Sequence, residues 1–292
     1  MLYNLCEPGV TMNLQVDWAS QGRALAFVAV ALVLMMVAKL IADRLTRYDD
    51  DAEIREGANG ALALRRAGMY LGLAIGLGGA LLHLPAGGML GPDLSTFALY
   101  GGSVVVLMLV AQVLNEAVML RGMNTHDAIK GNNLAVGTVE FGQFVATGVI
   151  AAGALTGDGA FWTSALFMAL GQVGLLLGFV LYARFVKWSV REELAGGNVA
   201  AGLLVGARLI ALGVIVSGSI SGDNTTLAND LLWCSLYYVY GTLLLAAVSW
   251  IADLLFLPKV RIHEMIEKRN VAGIGVVSAI TLAAAMVVWA SH

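Results

Sequence analysis

Long apolar runs alternate with short polar segments along the whole chain, and this pattern predicts membrane-spanning helices. A helix needs about 20 mostly apolar residues to cross the hydrocarbon core of a bilayer. Eight windows reach that length when the chain is divided at polar, Gly and Pro clusters. The predicted spans are Ala24–Leu45, Asn59–Leu82, Thr96–Leu120, Asn133–Leu155, Phe161–Trp188, Asn198–Ile220, Leu231–Leu257 and Asn270–Ala290. The predicted fold class is therefore all-α, a polytopic transmembrane helix bundle.

A short motif recurs four times between these spans: an acidic residue, then an asparagine six positions later at the start of an apolar run. The motif acids are Glu53, Asp127, Glu192 and Glu264, and the motif asparagines are Asn59, Asn133, Asn198 and Asn270. Alternate asparagines are 139 and 137 residues apart, whereas adjacent ones are 74, 65 and 72 apart. The near-equal long spacings indicate a duplicated four-helix unit. We divide the chain into an N-terminal tail (1–23), a first unit (24–155) and a second unit (156–292).

The composition and the placement of charge support a membrane protein and orient it. The chain is 59% hydrophobic and 13% charged, with a mean hydropathy of +0.81. Most of its 17 Lys and Arg lie in or beside the loops that carry the motif: Arg44, Arg47, Arg55, Arg121, Lys130, Arg184, Lys187, Arg191, Lys259, Arg261, Lys268 and Arg269. By the positive-inside rule, these loops face the cytoplasm and both termini face the periplasm. Because all four motifs share one face, the two units are predicted to be parallel repeats.

The motif itself has a structural interpretation. An asparagine at the start of a helix accepts a hydrogen bond from an unpaired backbone N–H, and a nearby carboxylate interacts favourably with the helix dipole. Three further acids, Asp43, Glu116 and Asp253, precede a motif acid by ten or eleven residues, near the predicted membrane interface. They are either solvated there or combine with the motif acids into an acidic vestibule that attracts cations.

Four polar residues lie deeper in the spans and form the candidate intramembrane site. Arg66 and Glu140 follow their motif asparagine by seven residues, about 10.5 Å along a helix, and Gln143 and Arg208 follow theirs by ten, about 15 Å. A charge in the bilayer costs about 2.5–3.5 kcal/mol on insertion scales, so such groups usually face a partner or water. The equal depth of Arg66 and Glu140 predicts an ion pair between them. The alternative is that Arg66 extends to the membrane surface.

The repeated acid, the Gly-Asn or Asn-Asn at the start of a helix, and the Ala/Gly-rich span that follows resemble the bacterial inner-membrane family known as domain of unknown function 350. The final stretch, RNVAGIGVVSAITLAAAMVVW, matches that pattern especially well. Members typically have four predicted helices and two motif copies, so the chain resembles two of them fused. The resemblance covers nearly all of the chain and implies its fold and its location in the inner membrane.

Three functional hypotheses remain open at this point. The first is a transporter or channel-like protein whose intramembrane polar residues line a route. The second is a membrane scaffold or regulatory partner that acts through its cytoplasmic motif loops, and the third handles lipid substrates in grooves between glycine-lined helices. The sequence has no nucleophile–base arrangement, metal-ligand spacing or phosphate loop, so we predict no enzyme, no catalytic residue, no metal and no cofactor. The expected partners are the lipid bilayer and either a second copy or another membrane protein, and a net charge of −3 gives no support for nucleic-acid binding.

Overall fold

The computed structural model describes residues 18–46, 49–85, 88–156, 160–221, 226–256 and 261–291, with the backbone alone described at 18, 19 and 252–256. Within these ranges the chain forms α-helices and no strands, which confirms the all-α prediction. The N-terminal tail up to residue 17 and the loop residues Arg47 and Lys259 lie outside the described residues.

The helices repeat in groups of three: a long entry helix, a six-residue helix and a central helix. The first group is α1 (Trp18–Leu45), α2 (Asp50–Arg55) and α3 (Gly60–Leu82). The second is α4 (Leu90–Val118), α5 (Thr125–Lys130) and α6 (Leu134–Leu155). The third is α7 (Phe161–Phe185), α8 (Val190–Ala195) and α9 (Val199–Ile220). The fourth is α10 (Leu227–Phe256), α11 (Ile262–Glu267) and α12 (Val271–Ala290).

The central helices α3, α6, α9 and α12 pack side by side in chain order. Neighbouring central helices run parallel. Ala135 contacts Gly202 near the start of α6 and α9, and Ala146 contacts Gly213 eleven residues later in both helices. Small residues allow this close approach. A Cβ built on Gly213 would lie 2.8 Å from the Ala146 Cα, closer than real Cβ atoms come to backbone. The motifs therefore lie together at one end of the row, which we call the motif end.

The entry helices cover the grooves of this row. Helix α4 packs against α3 and α6, α7 against α6 and α9, and α10 against α9 and α12. Helix α1 packs mainly against α4 and more lightly against α3. Each entry helix after the first thus lies between the central helix of its own repeat and that of the repeat before it.

Seven of the described helices are long and apolar enough to cross a membrane: α1, α4, α6, α7, α9, α10 and α12. Helix α3, the predicted span Asn59–Leu82, is not among them, because Arg65 and Arg66 lower its mean hydropathy. Helix α3 nevertheless packs along α6 from Ala61 to Gly79. The eighth span therefore stays a prediction. Entry helices α4 and α10 begin several residues before the predicted starts at Thr96 and Leu231.

Candidate functional site

Each motif asparagine is the N-cap of a central helix. The side-chain oxygens of Asn59, Asn133, Asn198 and Asn270 accept hydrogen bonds from backbone N–H groups in the first turn of α3, α6, α9 and α12. The residue just before each asparagine is left-handed, with φ of 47° at Ala58, 59° at Asn132, 69° at Gly197 and 51° at Arg269. Such a residue ends the short helix and turns the chain into the central helix.

The side-chain amides of three motif asparagines also connect successive repeats. Asn59 Nδ2 donates to the Ile129 carbonyl at 2.8 Å, Asn133 Nδ2 to the Leu194 carbonyl at 2.8 Å, and Asn198 Nδ2 to the Ile266 carbonyl at 2.8 Å. Each acceptor is the fifth residue of the short helix in the following repeat. The asparagine therefore caps its own helix through its oxygen and holds the next repeat through its nitrogen.

The motif acids lie in the short helices, away from the deep polar residues. Asp127 and Glu192 are exposed, and Glu53 and Glu264 are partly exposed. All four lie in the first turn of α2, α5, α8 or α11. This is the position in which a carboxylate stabilises a helix through its dipole.

A buried ion pair joins α3 to α6 inside the bundle. Arg65 Nε lies 3.2 Å from Glu140 Oε2, and the two side chains are 5% and 2% exposed. Arg65 also lies 3.8 Å from Glu116 Oε1 on α4, whose side chain is 24% exposed. The predicted partner of Glu140, Arg66, was wrong: the adjacent arginine occupies that place. Neither oxygen of Glu140 accepts a hydrogen bond from the described residues, although Arg65 lies close enough to Oε2 for an ion pair.

Further buried polar groups extend from this pair along α4, α6 and α7. Gln112 donates to Glu116 at 3.3 Å. Deeper in the bundle, Gln172 donates to Asn115 at 3.2 Å and accepts from the Thr147 hydroxyl at 3.2 Å.

Gln143 is also buried, three residues after Glu140 and therefore on the same side of α6. Its Nε2 has no hydrogen-bond acceptor among the described residues, and neither has Nδ2 of Asn115. Buried polar atoms left unpaired in this way are usually satisfied by water or a ligand. The cluster thus has capacity to bind a small polar species.

Arg66 belongs to a second ion-pair network, on the side of α3 that faces away from α6. Its guanidinium contacts the carboxylates of Asp43 on α1 and Asp50 on α2. Lys39 joins the same network through Asp43 at 2.8 Å and Asp51 at 2.9 Å. The hydrogen bond from Lys39 lowers the pKa of Asp51, which lies outside the predicted spans. Arg66 thus ties α1 and α2 to α3.

Of the acids in the predicted vestibule, two entry-helix acids lie beside basic side chains, whereas the motif acids are exposed or partly exposed. Asp43 pairs with Arg66 and Lys39, and Glu116 lies near Arg65. The side chain of the third entry-helix acid, Asp253, lies outside the described part of the structure.

The second unit lacks an equivalent buried ion pair among its described residues. Arg208 on α9 is half-buried, donates to the Ser249 hydroxyl at 3.2 Å, and lies 5.9 Å from the centre of the Tyr182 ring. Val205 and Val277 occupy the positions that Arg66 and Glu140 hold in the first unit. The four candidate residues therefore do not meet in one site: Glu140 and Gln143 lie together, whereas Arg66 and Arg208 lie apart from them.

Five members of the buried networks lay outside the predicted site: Asp50, Arg65, Asn115, Thr147 and Gln172. Arg65 lies beside a residue that was singled out, but the spacing pattern favoured its neighbour. Asn115 and Gln172 lie in apolar entry-helix windows, where an uncharged amide scarcely lowers hydropathy. Their signal was simply a polar side chain inside a predicted span. Among the residues that the structure describes, no group of three or more His, Cys, Asp or Glu could hold a metal ion.

Comparison with known proteins agrees with the repeat architecture. The model of the family described as Domain of Unknown Function (DUF350) matches two segments, residues 14–155 and 158–292. A UPF0719 transmembrane protein of Aquifex aeolicus (strain VF5) is 24% identical over 242 residues, which cover 81% of this chain and 87% of that protein. No solved structure matches the chain. Because the family model covers nearly all of the chain in two consecutive copies, the chain is a multi-pass membrane protein that belongs to the DUF350 family as a tandem duplication.

Proposed function

We propose that the protein moves protons or small ions across the membrane, with Glu140 as the intramembrane binding group. The supporting observation is a carboxylate that is 2% exposed inside an apolar bundle, with neither oxygen accepting a hydrogen bond from the described residues. A carboxylate at this depth is costly to insert and is usually kept for a function. A purely structural ion pair would be expected to have its remaining lone pairs satisfied.

A stepped series of polar groups leads to Glu140 from the motif end. Glu116 is partly exposed, Arg65 lies 3.8 Å from it, and Glu140 lies 3.2 Å from Arg65. The polar lining continues with Asn115, Gln172 and Thr147. Thr147 lies about 21 Å beyond Asn133, measured along α6. This length is roughly two thirds of a hydrocarbon core about 30 Å thick. In the proposed orientation, the protein lies in a bacterial inner membrane with its basic loops in the cytoplasm. This series of polar groups then opens to the cytoplasm.

Flux into liposomes tests this proposal. We expect purified protein in proteoliposomes to pass H⁺, Na⁺ or K⁺ under an imposed gradient, monitored with a pH-sensitive or ion-sensitive dye. Glu140→Gln should reduce the rate at least about tenfold, because it removes the buried carboxylate that binds the cation or proton. Glu140→Asp should keep part of the rate. Helical content and elution volume in detergent verify that each variant folds.

A matched control separates the buried carboxylate from charge in general. Glu192→Gln removes an exposed acid at the motif end and should leave the flux unchanged. Equal flux from the wild type and Glu140→Gln would contradict the role of Glu140, and absence of flux for all three cations would contradict the proposed function.

A second candidate function has its own supporting observation. An open cleft at the motif end runs between α4, α7 and α8, and Met119, Arg121, Phe179, Trp188 and Arg191 contribute to its lining. A cleft with apolar walls and a basic rim suits an acidic amphipathic segment of another protein. On this alternative the protein is a scaffold or regulatory partner, and Arg121→Glu would abolish its action while Glu140→Gln would not.

A further inference from the structure

The contacts between central helices follow one rule that repeats along the row. Each central helix has a forward face, which meets the next repeat, and a backward face, which meets the previous one. The forward face of α6 contains Ala135, Gly142 and Ala146. These residues meet Gly202, Gly206 and Gly213 on the backward face of α9.

The forward face is built from small residues in every repeat. Its positions lie two, nine, thirteen and twenty residues after the motif asparagine. In chain order they are Ala61, Gly68, Gly72 and Gly79; Ala135, Gly142, Ala146 and Gly153; Ala200, Ala207, Ala211 and Gly218; and Ala272, Ala279, Ala283 and Ala290. In α3, α6 and α9 these positions pack against the following helix or lie largely buried. In α12 all four are exposed.

The backward face of α3 is the complementary open end of the row. Ala63, Ala67, Ala74 and Gly78 occupy the positions that Gly202, Gly206, Gly213 and Ser217 hold on α9. Ala67 and Ala74 are exposed, and a Cβ built on Gly78 would meet nothing within 4 Å. Helices that face only lipid have no need for small residues, whereas helix–helix contacts do. The first and last central helices therefore carry small-residue faces of the kind used inside the chain. Alanine stands on α3 at three positions where α9 has glycine, so α12 and α3 must lie further apart than α6 and α9 do.

The hydrogen bond from a motif asparagine to the next short helix also lacks one partner at each end of the row. Nδ2 of Asn270 has no hydrogen-bond acceptor among the described residues, unlike Nδ2 of the other three motif asparagines. The matching acceptor of the first repeat is the carbonyl of Ile54, the fifth residue of α2, as Ile129 is of α5. This donor and this acceptor are independent of the small-residue faces, yet they imply the same missing neighbour.

Helix α1 gives a third indication. Every other entry helix packs against two central helices, that of its own repeat and that of the repeat before it. Helix α1 packs against only one central helix, α3, because no repeat precedes it. A central helix placed before α3 would complete the groove for α1.

We propose that the protein assembles head to tail with further copies of itself, so that α12 of one copy packs against the backward face of α3 of the next. Asn270 of the first copy donates to the Ile54 carbonyl of the second, and α1 of the second lies over the new groove. The contact is heterologous, so it generates a ring if the rotation between copies closes. This assembly does not depend on whether the protein moves ions.

Site-directed cross-linking tests the assembly directly. In a chain with Cys6→Ser and Cys234→Ala, Ala74→Cys and Ala283→Cys reproduce across the new contact the positions of Gly213 and Ala146. Oxidation in native membranes should join neighbouring chains when both substitutions are present in one chain, giving a ladder of dimers, trimers and larger species. When chains with Ala74→Cys alone are mixed with chains with Ala283→Cys alone, only a dimer band should appear, because each chain then has a single cysteine.

The direction of the contact provides the control. Ala74→Cys alone and Ala283→Cys alone should not cross-link, because equivalent residues never meet in a heterologous contact. The negative control pair combines Ala283→Cys with Val106→Cys, which lies on the exposed side of α4 in place of Ala74→Cys. This pair should not cross-link. Cross-linking by a single variant, no dimer from the mixture, or equal cross-linking by the Val106→Cys pair would overturn the proposal.

A second variant examines the asparagine connection without disturbing the helix start. Asn270→Asp keeps an oxygen that can cap α12 but removes the donated amide, since Asp and Asn are equivalent N-caps. We expect it to weaken self-association in detergent about fivefold, the usual net effect of one hydrogen bond. Unchanged association, measured by sedimentation or mass photometry, would contradict the predicted Asn270–Ile54 contact.

Discussion

Two adjacent arginines contact different neighbouring helices, and this explains the misassigned ion pair. Arg65 faces forward to Glu140, whereas Arg66 faces backward to Asp43 and Asp50. Glu140 and Arg66 both follow their motif asparagine by seven residues, so both lie on the backward face. Equivalent residues of parallel repeats point the same way and therefore cannot meet. The spacing from the motif asparagine indicated which turn of α3 lies beside Glu140, but only the direction of the row determines which arginine takes part.

The Arg65–Glu140 pair leads to a stability prediction. Arg65→Gln should lower the free energy of unfolding by about 3–5 kcal/mol, because it leaves the Glu140 carboxylate buried without its partner. Adding Glu140→Gln in the same chain should recover most of that loss. Equilibrium unfolding in mixed detergent micelles measures both changes.

Arg55→Gln, a change at an exposed arginine of α2, is the matched control and should change stability by less than about 0.5 kcal/mol. A double variant no more stable than Arg65→Gln would show that the pair is not energetically coupled.

At the scale of single elements, the motif predicted where each central helix begins but not what the asparagine nitrogen does. Capping depends on local sequence, so the interpretation of Asn59, Asn133, Asn198 and Asn270 as helix starts needed no tertiary information. The bond from Asn133 to the Leu194 carbonyl joins residues 61 apart, and no local pattern indicates it. The short helices were missed as well, because six residues are too few to show a hydrophobic period.

The two functions of the motif asparagine can be separated by substitution. Asn133→Asp keeps the cap oxygen but places a carboxylate against the Leu194 carbonyl, so it should lower the free energy of unfolding by about 1–3 kcal/mol. Asn270→Asp, studied in detergent at a protein concentration low enough to keep the chain monomeric, should change it by less than about 0.5 kcal/mol. Chemical unfolding followed by circular dichroism gives both values. Equal losses would mean that the connection between repeats contributes nothing.

At the scale of the whole molecule, charge and spacing predicted the parallel repeats, while the order of packing came from the structure. Four motif loops on one face require four parallel central helices, as Asn59 to Asn270 indicated. Sequence alone did not show that the helices form an open row, because the small residues of α12 and of α9 look alike in hydropathy. The difference is exposure: Ala207 is buried and its counterpart Ala279 is exposed.

The contact between α6 and α9 joins the two family segments, and a single methyl group should loosen it. A Cβ built on Gly142 would lie 2.5 Å from the Gly206 Cα, and neither backbone can move without its whole helix. Gly142→Ala should therefore lower the free energy of unfolding by about 1–3 kcal/mol, although alanine is the better helix former. Gly102→Ala on α4, where a new Cβ meets nothing within 4 Å, should be neutral or stabilise the protein by up to about 1 kcal/mol. Unfolding of the two variants under one detergent condition decides the question, and an equal effect of both substitutions would mean that the two units are not held by close backbone packing.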